Sequence, residues 1–327
     1  MGGRVLVTGV AGFLGSFLAE RLIKEGYEVI GVDNFFRGKL ENIGHLDELN
    51  LIEADIRKLP DSIFKDVSIV FHFAAINGTK HFYERPMEVL SVNVEGTIEV
   101  LKHCKNIDLF VFASSSEVYG EPIIIPTPET HPILLQSVDN PRYSYSASKV
   151  IGEYYVKWFA ETRGFDYIIE RIFNVYGPRM DTTQYGQVIP EFIRKVLKED
   201  KFTIISPGTQ IRSFNYVDDF VEMTMQLVKK VRNEIVNVGN PEPIDMISLA
   251  RLIHDIAGRE FDYSFLPARE GDVMRRIPDI NKFIKLTGFK PKTKLKEGLR
   301  KTFEWYKEKI GGRHGKDIGN WRSGVHR

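Results

Sequence analysis

Apolar residues follow two alternating rhythms along the first half of the chain. Short continuous runs, "RVLVTG", "EVIGVD", "LNLIEAD", "SIVFHFAA" and "LFVFASS", are rich in β-branched and aromatic residues. Between them lie stretches such as "FLGSFLAERLIKEG" and "PMEVLSVNVEGTIEVLKHCK", whose apolar positions recur every three or four residues. Runs without polar alternation are strands covered on both faces, and the intervening period is that of amphipathic helices. The pattern predicts an α/β domain with a doubly wound parallel sheet. Gly26 in "KEGYEV" sits where the first helix needs a left-handed cap.

After "FDYIIERIFNVYGPRM" the rhythm breaks, and Pro178, Pro190 and Pro207 interrupt a mixture of short helices and strands. This region is expected to form a smaller mixed α/β lobe. The run "NEIVNVGN" reads as a strand that rejoins the main sheet. The expected division is therefore 1–174 for the main domain and 175–310 for the lobe, with 217–240 returning to the main domain. In "KLKEGLRKTFEWYKEKI", Leu295, Leu299, Phe303, Trp305 and Tyr306 mark a closing amphipathic helix. Few apolar residues follow, so 311–327 is expected to be a mobile tail.

Lys and Arg total 45 against 44 Asp and Glu, which leaves no basic footprint for a nucleic acid. No apolar stretch approaches the ~20 residues of a membrane span. The start of the chain has no charged leader, long apolar region or cleavage site, so no secretory signal is expected. Cys104 is the single cysteine; it excludes an intrachain disulfide, suits a reducing cytoplasm, and in "VLKHCKN" reads as a buried helix thiol. The eight histidines show no metal-ligand spacing, and no metal is expected.

Chemistry enters with "VLVTGVAGFLGSFLAERL", where Gly9, Gly12 and Gly15 follow a strand and open a helix. Glycine there permits a tight turn, lets the backbone approach a pyrophosphate, and keeps the helix close to the sheet. Asp33 ends the second strand and can accept hydrogen bonds from a ribose diol while repelling a 2′-phosphate, which favours NAD over NADP. Arg37 is near enough in sequence to soften that preference. Asp55 in "IEADIRKL" fits either a cofactor contact or a plain surface carboxylate. Small Ala74 and Ala75 at a strand end leave room for a cofactor beside the backbone.

In "NPRYSYSASKVIGEYYVKWF", Tyr145 and Lys149 share a helix face at i, i+4. By itself that spacing is common on helices and implies no chemistry. Together, however, "TGVAGFLG", "ADI", "FHFAA", "VNVEGT", "SSSEVYG", "YSASK" and "RIFNVYGP" resemble the extended short-chain dehydrogenase/reductase family, in its nucleotide-sugar epimerase, dehydratase and decarboxylase branch. The later fragments "RSFNYVDD", "NVGN" and "EGDVMRRIPDI" extend the likeness. The resemblance implies a Rossmann domain holding NAD, a nucleotide-diphosphate sugar in the cleft beside the smaller lobe, and a homodimer formed through the helix after Tyr145. The cofactor contacts it implies are Gly9, Gly12, Phe13, Leu14, Gly15, Asp33, Asn34, Asp55, Ile56, Ala74, Ala75, Asn93, Tyr145 and Lys149. Tyr145 would be the base at the sugar 4-hydroxyl, Lys149 would bind the nicotinamide ribose, and Ser115 would hold the 4-oxygen. Adjacent cations are expected to lower the Tyr145 phenol toward working pH.

The pair Ser116–Glu117 separates branches of the family. Sugar dehydratases of this branch carry Asp–Glu there, so Ser116 disfavours 4,6-dehydration, while Glu117 as a catalytic carboxylate keeps decarboxylation open. The resemblance also implies substrate contacts at Asn77, Ser115, Ser116, Asn174, Arg212, Arg269 and Asp272, with Arg276 either structural or aimed at a sugar carboxylate. The loop "AAINGTKHFYERP" departs from the family text, and Asn77, Thr79 and Lys80 are its candidate contacts. The leading expectation is an NAD-dependent UDP-glucose/UDP-galactose-type 4-epimerase. A UDP-glucuronate decarboxylase is the second, and a non-catalytic NAD-binding sensor is the alternative of another class. Intact Ser115, Tyr145 and Lys149 weigh against the sensor.

Overall fold

The computed structural model describes residues 2–181, 187–268 and 273–311. The apolar runs become β1 (Arg4–Thr8), β2 (Glu28–Asp33), β3 (Asn50–Glu53), β4 (Val67–His72), β5 (Leu109–Ser115) and β6 (Asp166–Ile172). With the strand Glu234–Val238 they form one parallel sheet. From edge to edge the order is Glu234–Val238, β6, β5, β4, β1, β2, β3. The direction of winding reverses between β1 and β4, which opens a crevice beyond the carboxyl ends of those strands.

Strand side chains alternate between two cores, as burial on both faces requires. Val5, Val7, Phe71, Val111 and Ile168 enter one cluster, and Leu6, Val70, Phe110, Phe112 and Ile169 enter the other. Each such side chain contributes roughly 1.5–3 kcal/mol of burial free energy, so the sheet that carries the site is rigid.

Two glycines of the first turn are sterically required. Gly9 has φ +73°, and a Cβ on it would lie 2.8 Å from the Ala74 nitrogen. On Gly15 a Cβ would meet the Gly9 carbonyl oxygen at 2.1 Å. Gly26, expected to end the first helix α1 (Phe13–Lys24), has φ +82°.

The chain leaves the main sheet after β6 and returns through the helix Val217–Lys230, which packs against α1, to the strand Glu234–Val238. The intervening and following segments build the second lobe. In it Ile211–Ser213 pairs with Pro243–Asp245 on one side and Arg275–Arg276 on the other, a register that sets Arg212 beside Arg276. The closing helix runs Leu295–Gly311 and buries Leu299, Phe303 and Tyr306. Residues 312–327, expected to be a mobile tail, lie outside the described residues. No helix among the described residues is long and apolar enough to cross a membrane.

Candidate active site

One cleft at the crevice is lined by the glycine turn, the ends of β4 and β5, the start of the helix Tyr143–Arg163, and the segment after β6. At one end, α1 starts after its N-cap Gly12 with no side-chain cap, and Gly12 to Gly15 line the cleft, so its first backbone N–H groups are available to an anion there. Asp33 is buried at the end of β2, where its carboxylate accepts from Ala11 N at 2.9 Å and Phe35 N at 2.8 Å. Burial raises this carboxyl above its ordinary value, against the opposing pull of those amides. Arg37 turns away from a purely solvent role: it donates to the Asn77 carbonyl and, at 3.2 Å, to Asp181.

The other end is built on β5 and the long helix Tyr143–Arg163. Gly152 lets that helix lie on the sheet, since a Cβ there would be 2.4 Å from the Phe112 ring. Tyr145 is buried, has Ser115 beside its phenol, and is stacked on Phe82 with ring centroids 4.8 Å apart. One turn on, the Lys149 ammonium donates to the Ala113 carbonyl at 2.7 Å and lies 5.7 Å from the centre of the Tyr145 ring. Burial lowers Lys149 to about 7, partly offset by Glu153. Burial also pushes the Tyr145 phenol above its ordinary value, and Ser115 and Arg37 only partly oppose it. Desolvation outweighs the protein's own favourable groups and keeps Tyr145 neutral; the expected lowering counts the charge of an oxidised nicotinamide beside that of Lys149.

Glu117 follows β5 and is gripped from the second lobe. Both terminal nitrogens of Arg276 donate to its two oxygens, one of them at 3.2 Å, and Arg142 lies 3.8 Å away. Burial alone would raise this carboxyl, but Arg276, Arg142 and Arg212 hold it below its ordinary value. A carboxylate stabilised in this way is a weak base.

A profile of the NAD dependent epimerase/dehydratase family matches residues 5–239. The chain belongs to that family. Its cofactor is NAD, and the uncapped start of α1, the glycine cradle and the buried Asp33 carboxylate fit that group. A protein of Methanocaldococcus jannaschii named "Putative UDP-glucose 4-epimerase" is 39% identical over 309 residues, which cover 93% of this chain and 98% of the relative. UDP-glucuronic acid decarboxylase 1 of Xenopus tropicalis is 33% identical over 311 residues, 94% of this chain and 73% of the relative. Among solved structures, UDP-glucose 4-epimerase of Thermotoga maritima with UDP-glucose superposes with a TM-score of 0.89 at 32% identity, covering 94% of this chain and 99% of that one.

Within this family frame, Gly9, Gly12, Phe13, Leu14, Gly15, Ala75, Asn77, Ser115, Ser116, Glu117, Tyr145, Lys149, Asn174 and Arg276 come together along the cleft. Others stand back from it. Asp55 caps the short turn after β3 and is ion-paired to Arg57, whose Nε is 3.0 Å away; Ile56 is buried beneath it. Asn34 accepts from Phe36 N at 3.1 Å in a local turn. Ala74 donates its N–H to Thr8. Asn93 uses its amide to tie the Ile76 backbone to Ser148 on the long helix, at 2.7 and 3.1 Å. Lys80 pairs with Glu84 at 3.3 Å. Arg269 and Asp272 lie outside the described residues.

Three residues of the site carry no motif signal. Phe82 comes from the loop that departs from the family text, and the helix Thr79–Glu84 delivers it onto Tyr145. Arg142 precedes Tyr145 by less than a turn and reaches Glu117. Arg179, with φ +67°, covers the Phe17 ring and donates to Glu20 at 2.8 Å beside the glycine turn.

Proposed function

We propose that the chain inverts C4 of a nucleotide-diphosphate hexose of the UDP-glucose/UDP-galactose type, by transient oxidation and re-reduction at that carbon. One observation carries the reading: Ser115, the phenol of Tyr145 and the ammonium of Lys149 open on the same cleft as the glycine turn. When bound, the oxidised nicotinamide supplies a hydride acceptor and a positive charge that favours the phenolate in a low-dielectric site. Tyr145 takes the proton of the 4-hydroxyl and returns it after the ketosugar has turned. Ser115 holds the 4-oxygen in reach of the phenol, and Lys149 binds the cofactor ribose. Arg212 and Asn174 serve the diphosphate, with Arg269 and Asp272 completing that end. Glu117, committed to Arg276, fixes the wall of the sugar pocket and moves no proton, which supports inversion over reactions that need a second base.

A uronate decarboxylation is the second reading, supported by the 33% identity to the Xenopus decarboxylase and by an arginine, Arg276, in the cleft. Residues 1–174 with 217–240 form the cofactor domain in this account, and the rest of 175–310 the substrate lobe. A homodimer through the long helix is supported by its exposed Ile151, Tyr154, Tyr155 and Trp158, which share one face. A cytoplasmic location is supported by the lone, buried Cys104. Incubating the holoenzyme with UDP, dTDP and GDP sugars and following the products by NMR tests the function: inversion at C4 is expected. Carbon dioxide release from a uronate would establish the second reading, and no reaction across the panel would favour a sensor.

A further inference from the structure

Three loops meet beside the glycine turn, and one side chain joins them. Arg37, after β2, donates from Nη1 to the Asn77 carbonyl after β4, and from Nη2 to the Asp181 carboxylate beyond β6, at 3.2 Å. In the sheet β1 lies between β2 and β4, and the glycine turn stands at its carboxyl end. A bond from the β2 loop to the β4 loop therefore crosses that turn. All three bridged residues line the cleft.

Each loop is shaped to hold its end of the bridge. Phe35, just before Arg37, has φ +57°, Gly78, next to Asn77, has φ +119°, and Arg179, just before Asp181, has φ +67°. For Phe35 and Arg179 this backbone is strained and persists only where surrounding contacts impose it. Those contacts are present. Lys39 N donates to the Ala11 carbonyl at 3.0 Å, and a Cβ on Gly38 would meet an Asp33 oxygen at 2.6 Å, so the β2 loop is pressed onto the glycine turn. The Asn77 side chain accepts from Gly78 N at 2.6 Å. Arg179 ties its segment to Glu20 on α1 at 2.8 Å, and the Tyr306 hydroxyl donates to the Met180 carbonyl at 2.6 Å.

We propose that Arg37 is a strap over the bound cofactor, bridging the loops after β2, β4 and β6 so that NAD stays in the cleft from one turnover to the next. A cofactor with its ribose at Asp33 and its diphosphate at the start of α1 passes under the bridge and leaves only when the bridge opens. A guanidinium suits the task, because its planar fork offers separate donors to two partners. The Arg37 and Asp181 side chains are 26% and 19% exposed, whereas those of Arg171 on β6 and Glu153 on the long helix, also ion-paired, are 5% exposed. The strap can therefore open to solvent while the sheet stays folded.

The test is the rate at which the NAD-loaded protein exchanges its cofactor with excess deuterated NAD, read by mass spectrometry, with the melting temperature as the check on folding. Arg37→Met keeps the stem, loses the donors, and is expected to speed release about tenfold; Arg37→Gln, neutral but polar, is expected to follow it. Asp181→Ala removes one anchor and is expected to speed release about threefold, and to add nothing in the Arg37→Met background. Release unchanged in both Arg37 variants would overturn the strap. Faster release from the Arg37 variants with none from Asp181→Ala would overturn it too, since Arg37 would then hold the cofactor without bridging. A full Asp181→Ala effect in the double variant would do the same, by showing that Asp181 acts apart from Arg37. Exchange is measured without sugar, so the result stands whichever sugar reaction the enzyme performs.

Discussion

Arg276 grips Glu117 across 159 positions of sequence, with both terminal nitrogens on its two oxygens. The contact joins the second lobe to the end of β5 and removes Glu117 from the list of free bases. Glu117→Gln keeps an acceptor for Arg276 but loses the charge, and breaking a largely buried pair in this partial way is expected to cost about 1–3 kcal/mol of stability. C4 inversion should fall less than about tenfold. Chemical denaturation and NMR turnover assays read the two quantities, and a loss of turnover as deep as that of a Tyr145 variant would give Glu117 a proton-transfer role.

Phe82 holds the Tyr145 ring flat, with planes 14° apart. Phe82→Leu keeps an apolar side chain and loses the stacked face, a contact of about 0.5–1.5 kcal/mol. The expected result is a drop of roughly three- to tenfold in kcat with little change in KM. Steady-state kinetics checks it, and a change confined to KM would place Phe82 against the sugar rather than the phenol.

Asp33 is expected to select the cofactor. Asp33→Ala should weaken NAD binding and narrow the preference over NADP, because the carboxylate that repels a 2′-phosphate is gone. Fluorescence titration of the cofactor-stripped protein measures both affinities. An unchanged ratio would remove Asp33 from the ribose site.

Glu170 gives a pH signature unconnected with catalysis. Burial raises it to about 8, with one hydrogen bond from Thr224 at 3.2 Å and no partner for its other oxygen among the described residues. The folded protein holds a proton that the unfolded chain releases above the ordinary carboxylate range. Stability contributed by this group is therefore complete below that range and declines as pH rises toward about 8. Glu170→Gln should raise the melting temperature at pH 8 and change it little at pH 5, a gain of about 1–3 kcal/mol at the higher pH. Calorimetry at the two values reads the difference, and an equal effect at both would show that Glu170 is ionised in the fold.

What the chain reveals before folding is set by the range of each interaction. The strands, the glycine turn and the Tyr145–Lys149 spacing are local, and each has a steric or periodic signature, as with Gly15 against the Gly9 carbonyl. Partners brought together by the crossovers leave no such trace. Nothing in "SSSEVYG" or "RRIPDI" predicts that Glu117 and Arg276 will meet, or that Glu153 and Arg171 will. Phe82 was hidden for a different reason: its loop has no periodicity of its own and gains meaning only where it lands. How strongly burial opposes the cations expected to lower the Tyr145 phenol depends on packing depth, which the sequence does not carry.

The most direct test uses UDP-glucose deuterated at C4, incubated with the NAD-loaded protein and no added oxidant. The account predicts a C4-inverted product that retains its deuterium at C4, and no inversion with Tyr145→Phe although NAD stays bound. Deuterium lost to solvent during inversion, or inversion by the Tyr145→Phe protein, would contradict it.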